Sequence, residues 1–126
     1  MRELLLVDHH DLGRDVLARL LGRRGYELRT AKDGREALDM ALERVPDLIL
    51  LGLSLPEIDG LEVTRHLKRQ PSTAGVPVIA LTANATTVDR DRALAAGCED
   101  FETKPVDLTR LLGKIERYLH LGGAPS

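Results

Sequence analysis

The chain has 126 residues, of which 43% are hydrophobic and 30% charged, a composition typical of one globular domain with a single core. A net charge of −2 and an aromatic content of 2% argue against the basic, base-stacking surface of a nucleic-acid binder. Because the chain has a single cysteine, no signal peptide and no apolar run near membrane-spanning length, it predicts a cytoplasmic domain without an internal disulfide or membrane contact.

The first part of the chain predicts two strand–helix units. The apolar run of residues 4–7 ends at Asp8 and predicts a buried strand. A helix follows from about Asp11 to Arg24, and Gly25 ends it. Residues 26–30 alternate weakly as a second strand, and Asp33 begins a second helix with a capping-box-like motif. The apolar stripes of the two helices are Leu12, Val16, Leu17, Leu20 and Leu21, then Ala37, Leu38, Ala41, Leu42 and Val45.

The second part of the chain predicts three further units. Residues 48–51 form an unbroken apolar run, as expected of a central strand buried on both faces, and a turn then leads into a helix over about 60–70. Residues 76–81 predict a fourth strand, and a helix that ends at Gly97 follows it. Residues 101–103 predict a short fifth strand. Asp107 caps the last helix, whose buried stripe is Leu108, Leu111, Leu112, Ile115 and Leu119.

Five strands that alternate with five helices predict an α/β fold, a doubly wound parallel sheet with helices on both faces. We expect one domain over residues 1–121 and a flexible tail over 122–126. Sites in such sheets lie beyond the carboxyl ends of the strands, which here carry Asp8, Gly52, Thr82 and Lys104. Gly52 ends the central strand, so the place where a reactive side chain is expected holds none.

In combination these motifs resemble the receiver domain of two-component response regulators. They are an acidic residue after the first strand, the segment PDLILLGLSLPEIDG over residues 46–60, Thr82-Ala83, and Lys104-Pro105. The resemblance covers Leu4 to about Leu119. The chain particularly resembles stand-alone receivers of the cell-cycle-regulator type, since no output domain follows the last helix. The resemblance implies a flavodoxin-like (CheY-like) fold with strand order 2-1-3-4-5 and a role in phosphorelay signalling.

The resemblance also gives each strand-end residue a counterpart in the family. Two adjacent acidic residues hold Mg²⁺ in receivers, and their positions here are Asp8 and His9; a backbone carbonyl at Ser54 would also face the metal. An Asp at the end of the third strand accepts the phosphoryl group, and its position here is Gly52. The implied phosphate-contacting, switch and interaction positions are Thr82, Ala83, Phe101, Lys104 and Pro105.

Two of these positions depart from the pattern. Gly52 offers no carboxylate nucleophile. His9 replaces a hard oxygen ligand by an imidazole, which suits zinc or nickel better than magnesium. Three carboxylates and one lysine give the family pocket a formal charge of −2, whereas Asp8 and Lys104 cancel here. We therefore expect no catalytic residue, no cofactor, weak or lost Mg²⁺ binding, and a direct ion pair between Asp8 and Lys104.

Several functions stay open on the sequence alone. The favoured one is a pseudo-receiver, not an enzyme, which acts through phosphorylation-independent protein contacts. Alternatives are a receiver that phosphorylates a surrogate residue, namely His9, Ser54 or Thr82, a silenced mutant of an active receiver, and a small-anion site in the emptied pocket. His9-His10 is either a polar loop or a metal site completed by Asp8 or Asp11. Expected partners are a histidine kinase, a second signalling protein, or a second copy through helix four, strand five and helix five.

Overall fold

The computed structural model describes residues 2–83 and 87–122, which form five strands and five helices in strict alternation. The strands are β1 Glu3–Val7, β2 Glu27–Ala31, β3 Leu48–Gly52, β4 Val78–Thr82 and β5 Asp100–Thr103. The helices are α1 Asp11–Arg23, α2 Gly34–Glu43, α3 Gly60–Arg69, α4 Thr87–Ala96 and α5 Leu108–Gly122. None of the described helices is long and apolar enough to cross a membrane.

All strand pairs are parallel, and the strand order is β2-β1-β3-β4-β5. The predicted doubly wound, flavodoxin-like sheet is therefore confirmed. Its register aligns the strand ends, because Val7 is opposite Leu51, Gly52 is opposite Leu81, and Thr82 is opposite Thr103. The loops that follow β1, β3, β4 and β5 consequently meet at one edge of the sheet.

Alternate residues of the central strands serve two separate cores, as the two-residue period of a strand requires. One face packs against α2, α3 and α4, and the other packs against α1 and α5. The first core includes Leu5, Val7, Ile49, Leu51, Val63 and Leu67. The second includes Leu4, Leu6, Leu48, Leu50, Leu111 and Ile115. Burial on both faces explains why β1, β3 and β4 have continuous apolar sequences.

The stripe predicted for α5 is confirmed, but the stripes of α1 and α2 are only partly buried. Leu21 of α1 is fully buried, whereas Leu12 is 79% exposed and Val16 is 47% exposed. These two residues line an open groove beside residues 105–106, so no core covers them. In the second helix Leu42 and Val45 are 49% and 42% exposed, and Val45 lies beyond the end of α2.

The predicted caps are confirmed, and several boundaries shift. Asp33 accepts the Glu36 N–H at 2.8 Å, and Asp107 accepts the Arg110 N–H at 3.0 Å. β2 lies one residue later than predicted, and β4 spans residues 78–82 instead of 76–81. Gly122 belongs to α5 and not to the predicted tail, whose residues 123–126 lie outside the described part of the chain.

Two glycines let α2 and α3 pack closely against the loop after β3. A Cβ atom at Gly60 would lie 2.5 Å from the Gly52 carbonyl oxygen and 2.7 Å from Leu53 Cα. A Cβ atom at Gly34 would lie 2.7 Å from Val63 Cγ2 and 2.8 Å from the Ile58 carbonyl oxygen. A side chain cannot occupy either position without moving the backbone. This packing fixes where α3 begins and where the loop after β3 runs.

Candidate functional site

The strand-end residues border a cavity of about 410 Å³ at the carboxyl edge of the sheet. Of the residues predicted for the site, the cavity is lined by His9, Ser54, Thr82, Ala83 and Lys104. Asp8 lines the neighbouring groove beside α1, and its carboxylate is bonded to Lys104 of the cavity wall. The structure therefore brings together the residues that the sequence places at four different strand ends.

Asp8 and Lys104 form the ion pair that the sequence predicts. Lys104 Nζ lies 2.6 Å from Asp8 Oδ2, and the Asp8 side chain is only 8% exposed. The backbone N–H of His10 donates to Asp8 Oδ1 at 3.0 Å, and Arg14 Nη1 donates to the Asp8 carbonyl oxygen at 2.7 Å. The loop after β1 is therefore fixed around a carboxylate that both a cation and a backbone donor stabilise.

The same contacts set the ionisation of Asp8. Burial alone raises the pKa of the carboxyl, but the hydrogen bonds from Lys104 and from the His10 N–H outweigh it. The pKa of Asp8 therefore lies below its ordinary value, and the group is a carboxylate at neutral pH. The Lys104 ammonium group is in turn held by Asp8.

Gly52 is the last residue of β3 and places bare backbone against the Asp8 loop. A Cβ atom at Gly52 would lie 3.1 Å from the Val7 carbonyl oxygen and 3.7 Å from Asp8 Cγ. The first distance is shorter than ordinary van der Waals contact, so β1 and β3 approach each other closely at this point. The second is an ordinary van der Waals distance, so a side chain here would touch the Asp8 carboxylate carbon.

His9 and His10 stand exposed at the mouth of the cavity. Their ring centroids are 4.0 Å apart, with the ring planes inclined by 37°. One ligand atom from each of Asp8, His9 and His10 lies within 4.8 Å of the others. Two imidazoles and one carboxylate are not the all-oxygen ligand set that Mg²⁺ prefers.

The predicted switch residues occupy two different surroundings. Thr82 is buried and Ala83 is exposed, and both line the cavity. Phe101 is half-buried against the core under α2, α3 and α4, with Arg90 Cζ and Lys114 Nζ 5.3 and 5.4 Å from its ring centroid. Two cations therefore face the ring in addition to the core that packs against it. Pro105 follows a cis peptide bond and lines the groove beside α1.

Three charged residues of the cavity wall were not predicted as site residues from the sequence. Asp59 was expected only to form a turn, yet it lines the cavity while capping α3 through the Glu62 N–H at 2.9 Å. Arg92 lines the cavity from α4 together with Asp89. The signal was available, because residues 89 and 92 are three positions apart and share one side of the helix. Cys98 is buried, and burial raises the pKa of its thiol.

A five-stranded doubly wound sheet with an Asp–Lys pair at its carboxyl edge defines the class of CheY-like receiver domains. The model of the family described as "Response regulator receiver domain" matches residues 4–116. The chain therefore belongs to the response-regulator receiver family and is a receiver domain of two-component signalling.

Curated and solved relatives agree with this assignment. The polar-differentiation response regulator DivK of Brucella anthropi is 39% identical over 118 residues, which are 94% of this chain and 96% of the relative. A putative response regulator from Chloroflexus aurantiacus superposes with a TM-score of 0.91 at 30% identity, covering 94% of this chain and 98% of that one. The receiver domain of a Pseudomonas aeruginosa sensor histidine kinase, described with a magnesium ion in its active-site cleft, has a TM-score of 0.89, 34% identity and the same coverage.

Proposed function

We propose that this receiver domain acts by protein–protein contacts that do not require phosphorylation of the third-strand position. The observation that carries the proposal is the bare backbone of Gly52 at the end of β3. Formation of an acyl phosphate needs a carboxylate nucleophile at this point, and glycine supplies none. On this proposal the domain is a signalling module and not an enzyme.

The neighbouring carboxylates are already committed to other contacts. Asp8 accepts hydrogen bonds at both of its oxygens, one from Lys104 and one from the His10 N–H. Asp59 serves as the N-cap of α3. A nucleophile also has to stand at the correct distance and angle from the phosphoryl donor. Neither carboxylate replaces the missing one without giving up a contact that holds the site together.

The same residues support weak or lost magnesium binding. Of the two acidic positions that hold the metal in the family, only Asp8 is a carboxylate here, and its charge is balanced by Lys104 at 2.6 Å. The second acidic position of the family is His9, whose ring nitrogens are softer ligands than oxygen. Mg²⁺ in proteins usually keeps several of its waters and is held by one or two carboxylates together with phosphate oxygens. We therefore propose that the domain does not depend on Mg²⁺.

A partner surface is supported by the groove between α1 and the loop after β5. Its volume is about 500 Å³, and Leu12, Val16, Pro105 and Val106 give it an apolar lining. Leu12 and Val16 are the largely exposed members of the α1 stripe, so they are available to an incoming helix. We propose that a histidine kinase or another signalling protein docks here.

A second copy of the chain, associated through α4, β5 and α5, stays a prediction. On this surface Lys114 Nζ lies 3.4 Å from Asp100 Oδ1 and 2.9 Å from Glu102 Oε2, and Arg110 Nε lies 2.8 Å from Glu102 Oε1. These charges are therefore paired within one chain. A dimer that used them for cross-chain ion pairs would first have to break the internal ones.

The proposal is tested by offering the protein a phosphoryl donor. The purified chain is incubated with acetyl phosphate and MgCl₂, and its intact mass is measured. We expect no gain of a phosphoryl group, and a gain in the wild-type protein would overturn the proposal. His9→Gln, Ser54→Ala and Thr82→Val variants would then identify a surrogate acceptor. The Gly52→Asp/His9→Asp double variant is the positive control, because it restores both missing carboxylates.

A further inference from the structure

We propose that Asp8, His9 and His10 form a binding site for a borderline divalent transition metal of the zinc and nickel class. Their ligand atoms lie within 4.8 Å of one another, at the edge where the sheet presents its functional loops. Among residues 2–83 and 87–122, these three form the one group of His, Cys, Asp or Glu side chains whose ligand atoms lie within that distance of one another. The inference concerns metal binding alone and does not depend on how the domain meets its partners.

The three ligands combine one fixed group with two adjustable ones. Asp8 is buried and held by the His10 N–H and by Lys104, so its position is set before any metal arrives. Each of its oxygens accepts one hydrogen bond and retains a further lone pair. His9 and His10 are exposed, so their rings can turn toward Asp8 and exchange water for metal. A fixed carboxylate with two adjustable imidazoles allows the ligands to close to the roughly 2.0–2.2 Å of zinc bonds.

The chemistry of the ligands selects the metal. Two imidazole nitrogens and one carboxylate oxygen give zinc three protein ligands and leave one position for water. Magnesium prefers an octahedron of oxygens, which this edge does not supply. The other potential soft ligand, Cys98, is buried, and its thiol is kept protonated by that burial. The two remaining histidines, His66 and His120, lie on α3 and α5.

The proposal predicts that a substitution of Lys104 and a substitution of a metal ligand change the metal affinity in opposite directions. Its ammonium group lies 2.6 Å from Asp8 Oδ2, so a metal ion on Asp8 has to share the carboxylate with it or displace it. Two cations on one carboxylate repel each other. Removing the charge of Lys104 should therefore strengthen metal binding, whereas removing any ligand should weaken it. A nonspecific surface site would not respond in both directions.

The experiment titrates the metal-free full chain with ZnCl₂ in competition with a chromogenic chelator and repeats the titration with MgCl₂. We expect one Zn²⁺ per chain and no displacement by a hundredfold excess of Mg²⁺. His9→Gln and His10→Gln should each lower the zinc affinity about tenfold or more, and Lys104→Gln should raise it. The zinc affinity of Asp8→Asn is interpreted once circular dichroism shows a native fold, because Asp8 is buried and its substitution can disturb folding.

The matched control is the His66→Gln/His120→Gln double variant, which removes the same number of imidazoles away from the site. It should bind zinc as the wild type does. Failure of the wild type to bind zinc, or an equal loss in the control, would overturn the proposal. Phosphoryl uptake is read from intact mass and zinc uptake from chelator competition, so one proposal can fail while the other holds.

Discussion

Glycine occurs at the cavity edge, as Gly52, and at the neighbouring junction of α2 and α3 with the loop after β3, as Gly34 and Gly60, but for different physical reasons. At the junction, Cβ atoms on Gly34 and Gly60 would lie 2.5–2.8 Å from backbone or side-chain atoms. At the edge, a Cβ atom on Gly52 would meet the Val7 carbonyl oxygen at 3.1 Å. The junction therefore needs glycine to keep its close packing, whereas a small side chain at the edge requires only a slight adjustment. The absence of a side chain at Gly52 thus bears on chemistry more than on architecture.

The largest expected effect tests the junction. Gly60→Ala should destabilise the domain by about 2–3 kcal/mol, because the new Cβ must push the Gly52 carbonyl and the Leu53 backbone away. The measurement is urea unfolding followed by circular dichroism. Gly22→Ala and Gly113→Ala are the matched controls, since a Cβ there meets nothing within 4 Å. Each of these two changes should stabilise the domain by up to about 1 kcal/mol. Equal effects at all three positions would contradict the close packing.

The next effect tests the ion pair at the edge. Lys104→Met should destabilise the metal-free domain by about 1–2 kcal/mol, because it leaves the buried Asp8 carboxylate with only the His10 N–H as donor. Asp8→Asn and the double variant complete a thermodynamic cycle in urea unfolding. A coupling energy near zero would mean that the two groups do not stabilise each other.

The third effect tests Gly52 itself. In the absence of metal, Gly52→Asp should be no more stable than the wild type, and we expect a loss of about 1 kcal/mol. The substitution regains roughly 0.5–1 kcal/mol of backbone entropy, but it forces the contact with Val7 and places a second carboxylate beside Asp8. Gly52→Ala separates the two terms, since it keeps the contact and omits the charge. A clearly more stable Asp variant in urea would contradict this account.

The sequence predicted the fold well because burial on both faces of a parallel sheet leaves continuous apolar runs. It also predicted the Asp8–Lys104 pair, since both residues follow strands that end at the same edge of the sheet, although β3 and β4 lie between β1 and β5. It could not distinguish α1 from α5, whose apolar stripes look alike. Leu111 is fully buried while Leu12 is 79% exposed, and only the packing of neighbouring elements decides which stripe is covered. The close packing at Gly60 could not be predicted for the same reason, because an approach between distant segments leaves no local sequence pattern.

The smallest effect is the pH dependence that Asp8 imposes on the edge. Burial raises the pKa of the carboxyl, but the hydrogen bonds from Lys104 and the His10 N–H lower it by a larger amount. The pKa in the folded protein therefore lies below that of the unfolded chain. The stabilisation is therefore fully present above the unfolded-state pKa, about 4, and is lost as the pH falls through the folded-state pKa. Urea unfolding between pH 5 and pH 3 should show a steeper loss of stability for the wild type than for Asp8→Asn. The atoms that a Cβ at Gly60 would meet belong to Gly52 and Leu53, neither of which titrates, so Gly60→Ala should lower the whole curve and leave its slope unchanged. A changed slope would mean that the two regions are coupled.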